Sequence, residues 1–112
     1  MRLPQAEDAI VDLDKIARYP LSGSHSRGRD KARFFTVFGF SHEMPERLKD
    51  ALLMHVRAND VVGLQKSEHG AKYTIQGPLL TPDGRAPVIR SVWIIDTGGQ
   101  RPRFVTAFPG PR

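Results

Sequence analysis

The spacing of apolar residues changes once along the chain, near Asn59. Before Asn59 the apolar residues recur about every 3.6 positions, which is the repeat of a helix surface. After Asn59 they alternate with polar residues, as the two faces of a strand require. This order predicts an α+β domain in which N-terminal helices pack on one face of a three- to four-stranded antiparallel β-meander.

Three helices are predicted in the first half of the chain. Asp12 is placed to cap a short helix that stops before Pro20, because a proline disfavours helical geometry in the residue before it. A second helix covers Gly28–Phe38 and ends at Gly39. The third covers Glu46–Arg57 after a proline in its first turn. The predicted inward face of this helix consists of Leu48, Ala51, Leu52, His55 and Val56.

The second half of the chain predicts strands separated by turn signals. Residues 60–70 have the composition of an exposed connection, and Thr81–Arg85 carries the proline and the Asp-Gly pair of a tight reversal. The predicted strands are Ala9–Val11 at an edge, then Lys72–Gln76, Val88–Ile95 at the centre, and Arg103–Phe108. Strict alternation puts Phe104, Thr106 and Phe108 on one face of the last strand.

Composition narrows the class of protein. The chain has 112 residues and no cysteine, which suits a single domain over residues 1–112. The missing cysteines exclude disulfide scaffolds, thiolate zinc sites and cysteine nucleophiles. No apolar run of about 18 residues is present, and the acidic amino terminus lacks the layout of a signal peptide. We therefore expect a soluble domain with no membrane partner, which acts in the cytoplasm or is delivered into that of a target cell.

The net charge of the chain points to an anionic partner. Seventeen Lys and Arg residues against twelve Asp and Glu residues give a formal charge of +5. Such a balance favours RNA, DNA or an acidic protein as the partner. The positive charge is concentrated in residues 21–40 and 66–112. A solvated basic surface without a function explains the same charge.

The motifs of most metal-dependent and nucleotide-dependent enzymes are absent from the sequence. It contains no His-x-Glu pair, no His-x-x-x-His pair and no Gly-x-x-x-x-Gly-Lys loop, so we expect no metal and no other cofactor. Histidine, basic residues and hydroxyl groups remain, and these suffice for metal-free RNA cleavage. That reaction needs a base for the ribose 2′-OH, an acid for the leaving oxygen and cations for the charge on phosphorus.

The histidines differ in their surroundings. His25 lies in a polar loop among basic residues and is the best candidate for proton transfer, with a solvated loop histidine of no function as the alternative. His42 suits the start of a helix, and His69 lies in the predicted connection. His55 lies among apolar helix positions, a pattern typical of a hydrogen-bonded core histidine.

Several segments together resemble a family of small bacterial domains of unknown function. They are Leu21–Phe35, Gly39-Phe40, Gly70–Tyr73, Gly84-Arg85, Val92–Ile94 and Pro102–Pro109, and the resemblance covers nearly the whole chain. Similar segments occur as carboxy-terminal toxin modules of filamentous-haemagglutinin-type polymorphic toxins, to which the fold shared by barnase, EndoU, colicin D and RelE is ascribed. The resemblance implies a metal-independent ribonuclease toxin, with tRNA among its substrates, held in check by an acidic immunity or antitoxin protein.

The resemblance also implies roles for individual residues. His25 is the implied general base or acid. Lys31 and Arg90 are the implied stabilisers of phosphate charge, and Thr106 is the implied hydrogen-bond donor to a phosphate oxygen. The residues expected to bind substrate are Arg27, Arg29, Lys72, Tyr73 and Arg103. The alternation around Tyr73 and Trp93 favours core positions over base stacking for both rings.

The chain departs from the family pattern in two places. The last strand of EndoU-like toxins usually reads Thr-x-Tyr, whereas Phe108 has no hydroxyl, and Ser26 follows His25 where a proline is expected. The second acid is then supplied elsewhere, with Tyr73 as a candidate, or this copy is slow or inactive. A non-catalytic binding module for RNA or for an acidic protein is the competing hypothesis.

Overall fold

The computed structural model describes residues 1–18, 34–41 and 43–111. Its strands form one antiparallel sheet in chain order, β1-β2-β3-β4. The strands are β1 (Val61–Ser67), β2 (Gly70–Pro78), β3 (Val88–Asp96) and β4 (Arg103–Pro109). The described helical segments are a 3₁₀ helix (Ala6–Asp8), α1 (Leu13–Arg18), residues 34–37 and α2 (Pro45–Ala58). The longer helix, α2, packs across β2 and β3, and α1 packs against α2. The predicted α+β meander with helices on one face is confirmed.

The prediction of an exposed connection over residues 60–70 is wrong, because this stretch contains β1 and the start of β2. Ser67 pairs with Gly70 across a tight turn. Gly70 has a φ of 146°, and a side chain there would collide with a backbone carbonyl of β3. Because β1 is an edge strand, its apolar side chains Val62 and Leu64 remain 53% and 48% exposed. The sequence of β1 therefore does not show the regular alternation of buried apolar and exposed polar residues by which a strand is recognised.

A β-bulge interrupts the alternation of side chains that was predicted for β4. Val92 of β3 pairs with Thr106, whereas the next residue, Trp93, pairs with Phe104. Val105 is therefore one residue in excess, and an extra residue turns the rest of the strand over. Phe104 lies on the buried face, where its ring centroid is 5.4 Å from that of Trp93. The predicted common face for Phe104 and Thr106 is wrong.

The structure of the amino-terminal segment agrees with the predictions made for it. Asp12 caps α1 as predicted, because its Oδ1 accepts a hydrogen bond from the backbone N–H of Asp14 at 2.9 Å. Ahead of the cap, the N–H of Ile10 donates to the Pro102 carbonyl at 2.8 Å, and Ile10 accepts from the N–H of Phe104 at 2.9 Å. The predicted edge strand is present as one parallel bridge beside β4.

Residues 34–37 are helical, and Gly39 ends this helix as predicted. Gly39 has a φ of 104°, and its N–H donates to the carbonyl of Thr36 at 3.0 Å. The N–H of Phe40 donates to the carbonyl of Phe35 at 3.2 Å. These are the bonds of a Schellman motif, and the Phe35 and Phe40 rings complete it by packing at 6.2 Å. The predicted start of this helix lies outside the described residues.

The inward face of α2 is confirmed residue by residue. Its buried side chains are Leu48, Ala51, Leu52, His55 and Val56. They join a core to which the sheet contributes Ile75, Ile89, Trp93, Phe104 and Ala107. This face of the sheet is therefore covered by α2.

A chain of hydrogen bonds crosses this core. His55 Nε2 donates to the carbonyl oxygen of Gly77 at 3.0 Å, so Nδ1 is unprotonated and accepts from the Ser91 hydroxyl at 2.9 Å. Ser91 Oγ also accepts from Trp93 Nε1 at 2.8 Å. Burial lowers the pKa of His55 from its ordinary 6.5, so the ring stays neutral. The prediction of a satisfied core histidine is confirmed.

Candidate functional site

The sheet face opposite α2, which we call the distal face, carries Arg90. Its neighbours Ile89 and Ser91 are buried beneath α2, and alternation along β3 therefore turns Arg90 the other way. Gln76 of β2 pairs with Arg90 on one side, and Phe108 of β4 pairs with it on the other. These residues form a row across the sheet.

Arg90 is half-buried, and its guanidinium is hydrogen-bonded to β2. Its Nε donates to Gln76 Oε1 at 2.8 Å. Over residues 1–18, 34–41 and 43–111, no carboxylate lies within ion-pair distance of Arg90. A guanidinium has further N–H donors in a planar fork that matches a phosphate or carboxylate. Arg90 is therefore suited to bind an anion on the distal face.

Thr106 lies diagonally across from Arg90. It pairs with Val92, two residues further along β3, and diagonal neighbours of this kind are about 7–8 Å apart. From the other side, Thr74 of β2 also pairs with Val92. A tetrahedral oxyanion can reach a guanidinium and a hydroxyl at this separation. The register thus brings together Arg90 and Thr106, two residues that the sequence singled out.

Two further predicted residues lie at the other end of the distal face. Lys72 and Arg103 both pair with Ile94, about 13 Å along β3 from Arg90. Arg103 donates to both carboxylate oxygens of Asp96, at 2.8 and 2.9 Å. These bonds hold the pKa of Asp96 below its usual range and raise the pKa of Arg103. The charge of Arg103 is thereby compensated, whereas within the described ranges no carboxylate pairs with Lys72.

Tyr73 lies on the α2 side of the sheet. It pairs with Trp93, which is fully buried, and packs against the core. The core positions predicted for both rings are confirmed. The sheet separates Tyr73 from Arg90, so the structure does not bring these two predicted site residues together.

The remaining predicted site residues, His25, Arg27, Arg29 and Lys31, lie outside the described residues, as does His42. The roles expected of them stay predictions. Phe34, the first described residue after Lys31, shares a cavity with Val88 and Pro109. These two residues lie at the ends of β3 and β4, close to Arg90 and Phe108.

Sequence reasoning missed Gln76 and Thr74. Both belong to the alternating stretch that predicts a strand, but nothing in their neighbourhood marks them as part of a site. They are recognised only through the register, which aligns them with Arg90 and Val92. Each is separated from its partner by more than ten positions of chain.

The described residues contain no group of three or more metal-ligating side chains placed to hold an ion. In the same part of the chain, no helix is long and apolar enough to cross a membrane. The distal face presents two guanidinium groups, an ammonium group and hydroxyls. Such groups stabilise negative charge on a bound or reacting anion.

Comparison with known proteins agrees with this architecture. A family model described as a domain of unknown function (DUF6883) matches residues 2–111. A solved chain of a contact-dependent growth inhibition toxin–immunity protein complex from Klebsiella pneumoniae 342 is similar, with a TM-score of 0.63 and 20% identity. The match covers 90% of this chain and 99% of that one, and at this identity it shows a common fold. No curated protein matches the chain.

Proposed function

Because the chain belongs to the family described as a domain of unknown function (DUF6883), and because it shares a fold with a chain of a toxin–immunity complex, we propose that it is a metal-independent ribonuclease of a toxin system. One observation carries the proposal. Arg90 and Thr106 are neighbours on the distal face, and no carboxylate in the described part of the chain offsets the charge of Arg90. A cation beside a hydroxyl suits the charge that develops during phosphodiester cleavage.

In the proposed reaction, a base removes the proton of a ribose 2′-OH and the 2′-oxygen attacks the adjacent phosphorus. The bond between phosphorus and the 5′-oxygen breaks, and an acid protonates that oxygen. The products are a 2′,3′-cyclic phosphate and a 5′-hydroxyl. We assign one proton transfer to His25. Lys31 and Arg90 stabilise the charge on phosphorus, and Thr106 donates to a phosphate oxygen.

The proposed substrate is RNA, and tRNA is the first RNA to be tested. The net charge of +5 supports a polyanion, and the residues that extend the contact are Arg27, Arg29, Lys72 and Arg103. The proposed fold is that of barnase, EndoU, colicin D and RelE. As in other toxin systems, an acidic immunity protein would cover the basic surface, and the domain would act in the cytoplasm of a target cell. The likeness to a chain solved in a toxin–immunity complex supports a protein partner.

The test is incubation of purified protein with total tRNA in EDTA. Wild-type protein is expected to produce fragments that end in 2′,3′-cyclic phosphate. His25→Ala and Arg90→Ala are each expected to slow their formation about a hundredfold or more. Lys66→Ala is the matched control, since Lys66 is an exposed cation on the α2 side of the sheet. Its cleavage rate should equal that of the wild type.

One observation favours a second candidate function, a non-catalytic module that binds RNA or an acidic protein. Phe108 pairs directly with Arg90, and its ring has no proton to transfer. Binding of tRNA without fragments, weakened by salt but unchanged by His25→Ala, would establish this second function and exclude the nuclease.

A further inference from the structure

An apolar cavity of about 440 Å³ opens where residues 34–38 meet the ends of β3 and β4. Its walls are formed by Phe34, Phe38, Pro87, Val88, Pro109 and Pro111. Among the described residues that line it, none has a charged or amide side chain. The volume lies within the range of roughly 300–1,000 Å³ that is usual for small-molecule sites.

The aromatic wall of the cavity is held in position. The ring centroids of Phe34 and Phe38 are 5.1 Å apart, and the guanidinium carbon of Arg85 lies 4.3 Å from the centroid of Phe38. Arg85 also donates to the carbonyl of Val37 at 2.8 Å, which ties it to the same turn. A ring restrained in this way loses little conformational entropy when a flat ligand stacks on it.

The opposite wall is anchored to the sheet beside Arg90. Val88 lies two residues before Arg90 on the same face of β3, a separation of about 7 Å. The N–H of Gly110 donates to the carbonyl of Val88 at 3.0 Å and holds the end of β4 against it. A ribose is long enough to bridge this separation. A phosphate at Arg90 would therefore place the attached base at the cavity.

We infer that this cavity binds the base of the nucleotide whose phosphate contacts Arg90. The inference rests on the proposed function, since it requires RNA to bind the distal face. The described lining residues offer ring faces and no hydrogen-bonding side chains. They therefore suit the face that every base has, and not the edge that distinguishes one base from another. The site requires a base but tolerates any base. An apolar peptide is less well matched, because it brings no anion for the guanidinium of Arg90, which has no carboxylate partner among the described residues.

The experiment measures binding and does not depend on cleavage. The probes are a short, fluorescein-labelled 2′-O-methyl oligouridine, which has no 2′-OH to react, and an abasic oligonucleotide of the same length and charge. Wild-type protein should bind the oligouridine roughly tenfold to a hundredfold more tightly than the abasic probe. Phe38→Ala, which removes the stacking surface, and Val88→Trp, which fills the cavity, should abolish this preference.

The control variants separate base binding from phosphate binding. Arg90→Ala should weaken binding of both probes, because both carry phosphates. Leu64→Ala removes an apolar side chain that is 48% exposed on β1, away from the cavity, and should change neither affinity. Far-UV circular dichroism of each variant tests whether the variant protein is folded.

Each outcome has a distinct meaning. Equal affinity of the wild type for the two probes would overturn the base site and leave phosphate binding intact, as expected if the cavity receives a protein segment. A base preference in a protein that does not cleave tRNA would support the base site and exclude the nuclease. Failure to bind either probe would exclude both proposals.

Discussion

The Ser91 hydroxyl joins α2 to the centre of the sheet, because it lies 2.9 Å from His55 Nδ1 and accepts the indole N–H of Trp93 at 2.8 Å. His55 completes the chain by donating to the Gly77 carbonyl. Ser91 therefore lies on the face of β3 beneath α2, where it is buried, and its neighbour Arg90 belongs to the distal face.

Ser91→Ala should destabilise the fold substantially. The substitution leaves His55 Nδ1 and the Trp93 indole without their buried partner, and each unsatisfied buried group costs roughly 1–3 kcal/mol. Urea unfolding at neutral pH measures the loss. Ser67→Ala is the control, since Ser67 lies at the exposed turn between β1 and β2, and its effect should stay within about 0.5 kcal/mol. Equal effects of the two variants would show that the Ser91 hydroxyl has no special part in the core.

The stability of the protein should fall in weak acid because of His55. Burial lowers the pKa of its folded form below the ordinary 6.5, so below that pH the unfolded chain binds a proton that the native chain does not. The contribution of His55 is complete above pH 6.5 and is lost progressively as the pH falls toward the folded pKa, by at most about 1.4 kcal/mol per pH unit.

His55→Gln isolates this titration from that of the other histidines. Glutamine can donate and accept hydrogen bonds but does not titrate, so the advantage of the wild type over the variant should shrink as the pH is lowered below 6.5. Urea unfolding across this pH range measures the difference. A constant difference would mean that His55 has the same pKa in the folded and unfolded chain.

Substitutions of Arg90 should change how RNA binding depends on salt. Arg90→Ala removes a cation that we assign to a phosphate, so the slope of log K against log salt should decrease by about 1. Arg90→Lys keeps the charge and the slope, but loses affinity because an ammonium group cannot form the planar, bidentate contact. Fluorescence titrations of tRNA at several salt concentrations measure both quantities. An unchanged slope in Arg90→Ala would remove Arg90 from the phosphate contact.

Phe108→Tyr should increase the rate of RNA cleavage. The substitution adds a hydroxyl to the residue paired with Arg90, where the ring at present has no proton to give. Proton transfer by a positioned group is worth a factor of about 100 to 10,000, and a gain of about tenfold or more is expected for a hydroxyl placed without further optimisation. Phe108→Leu is the control without a hydroxyl. Equal rates for the Tyr and Leu variants would place the acid elsewhere.

The elements that could be predicted from the amino-acid sequence are those whose burial pattern is repeated locally. The apolar face of α2, with His55 included, follows from helical spacing, because each turn repeats the same environment. The Asp12 cap and the glycine end of the helix at Gly39 are equally local, since the groups that they satisfy lie within a few residues. The central strand β3 is apolar enough to be recognised without its neighbours.

Features that depend on partners distant in the chain could not be predicted and are known only from the fold. The strand β1, which contains Leu64, belongs to the sheet only through its pairing with β2. Because it is an edge strand, its residues differ little in burial. The extra residue Val105 reverses the side on which Phe104 lies, and it is visible only when β4 is aligned with β3. For the same reason, the hydrogen bond between Arg90 and Gln76 could not be predicted from the sequence. Strand register is fixed by contacts across the sheet, and these contacts place Arg90 and Thr106 together.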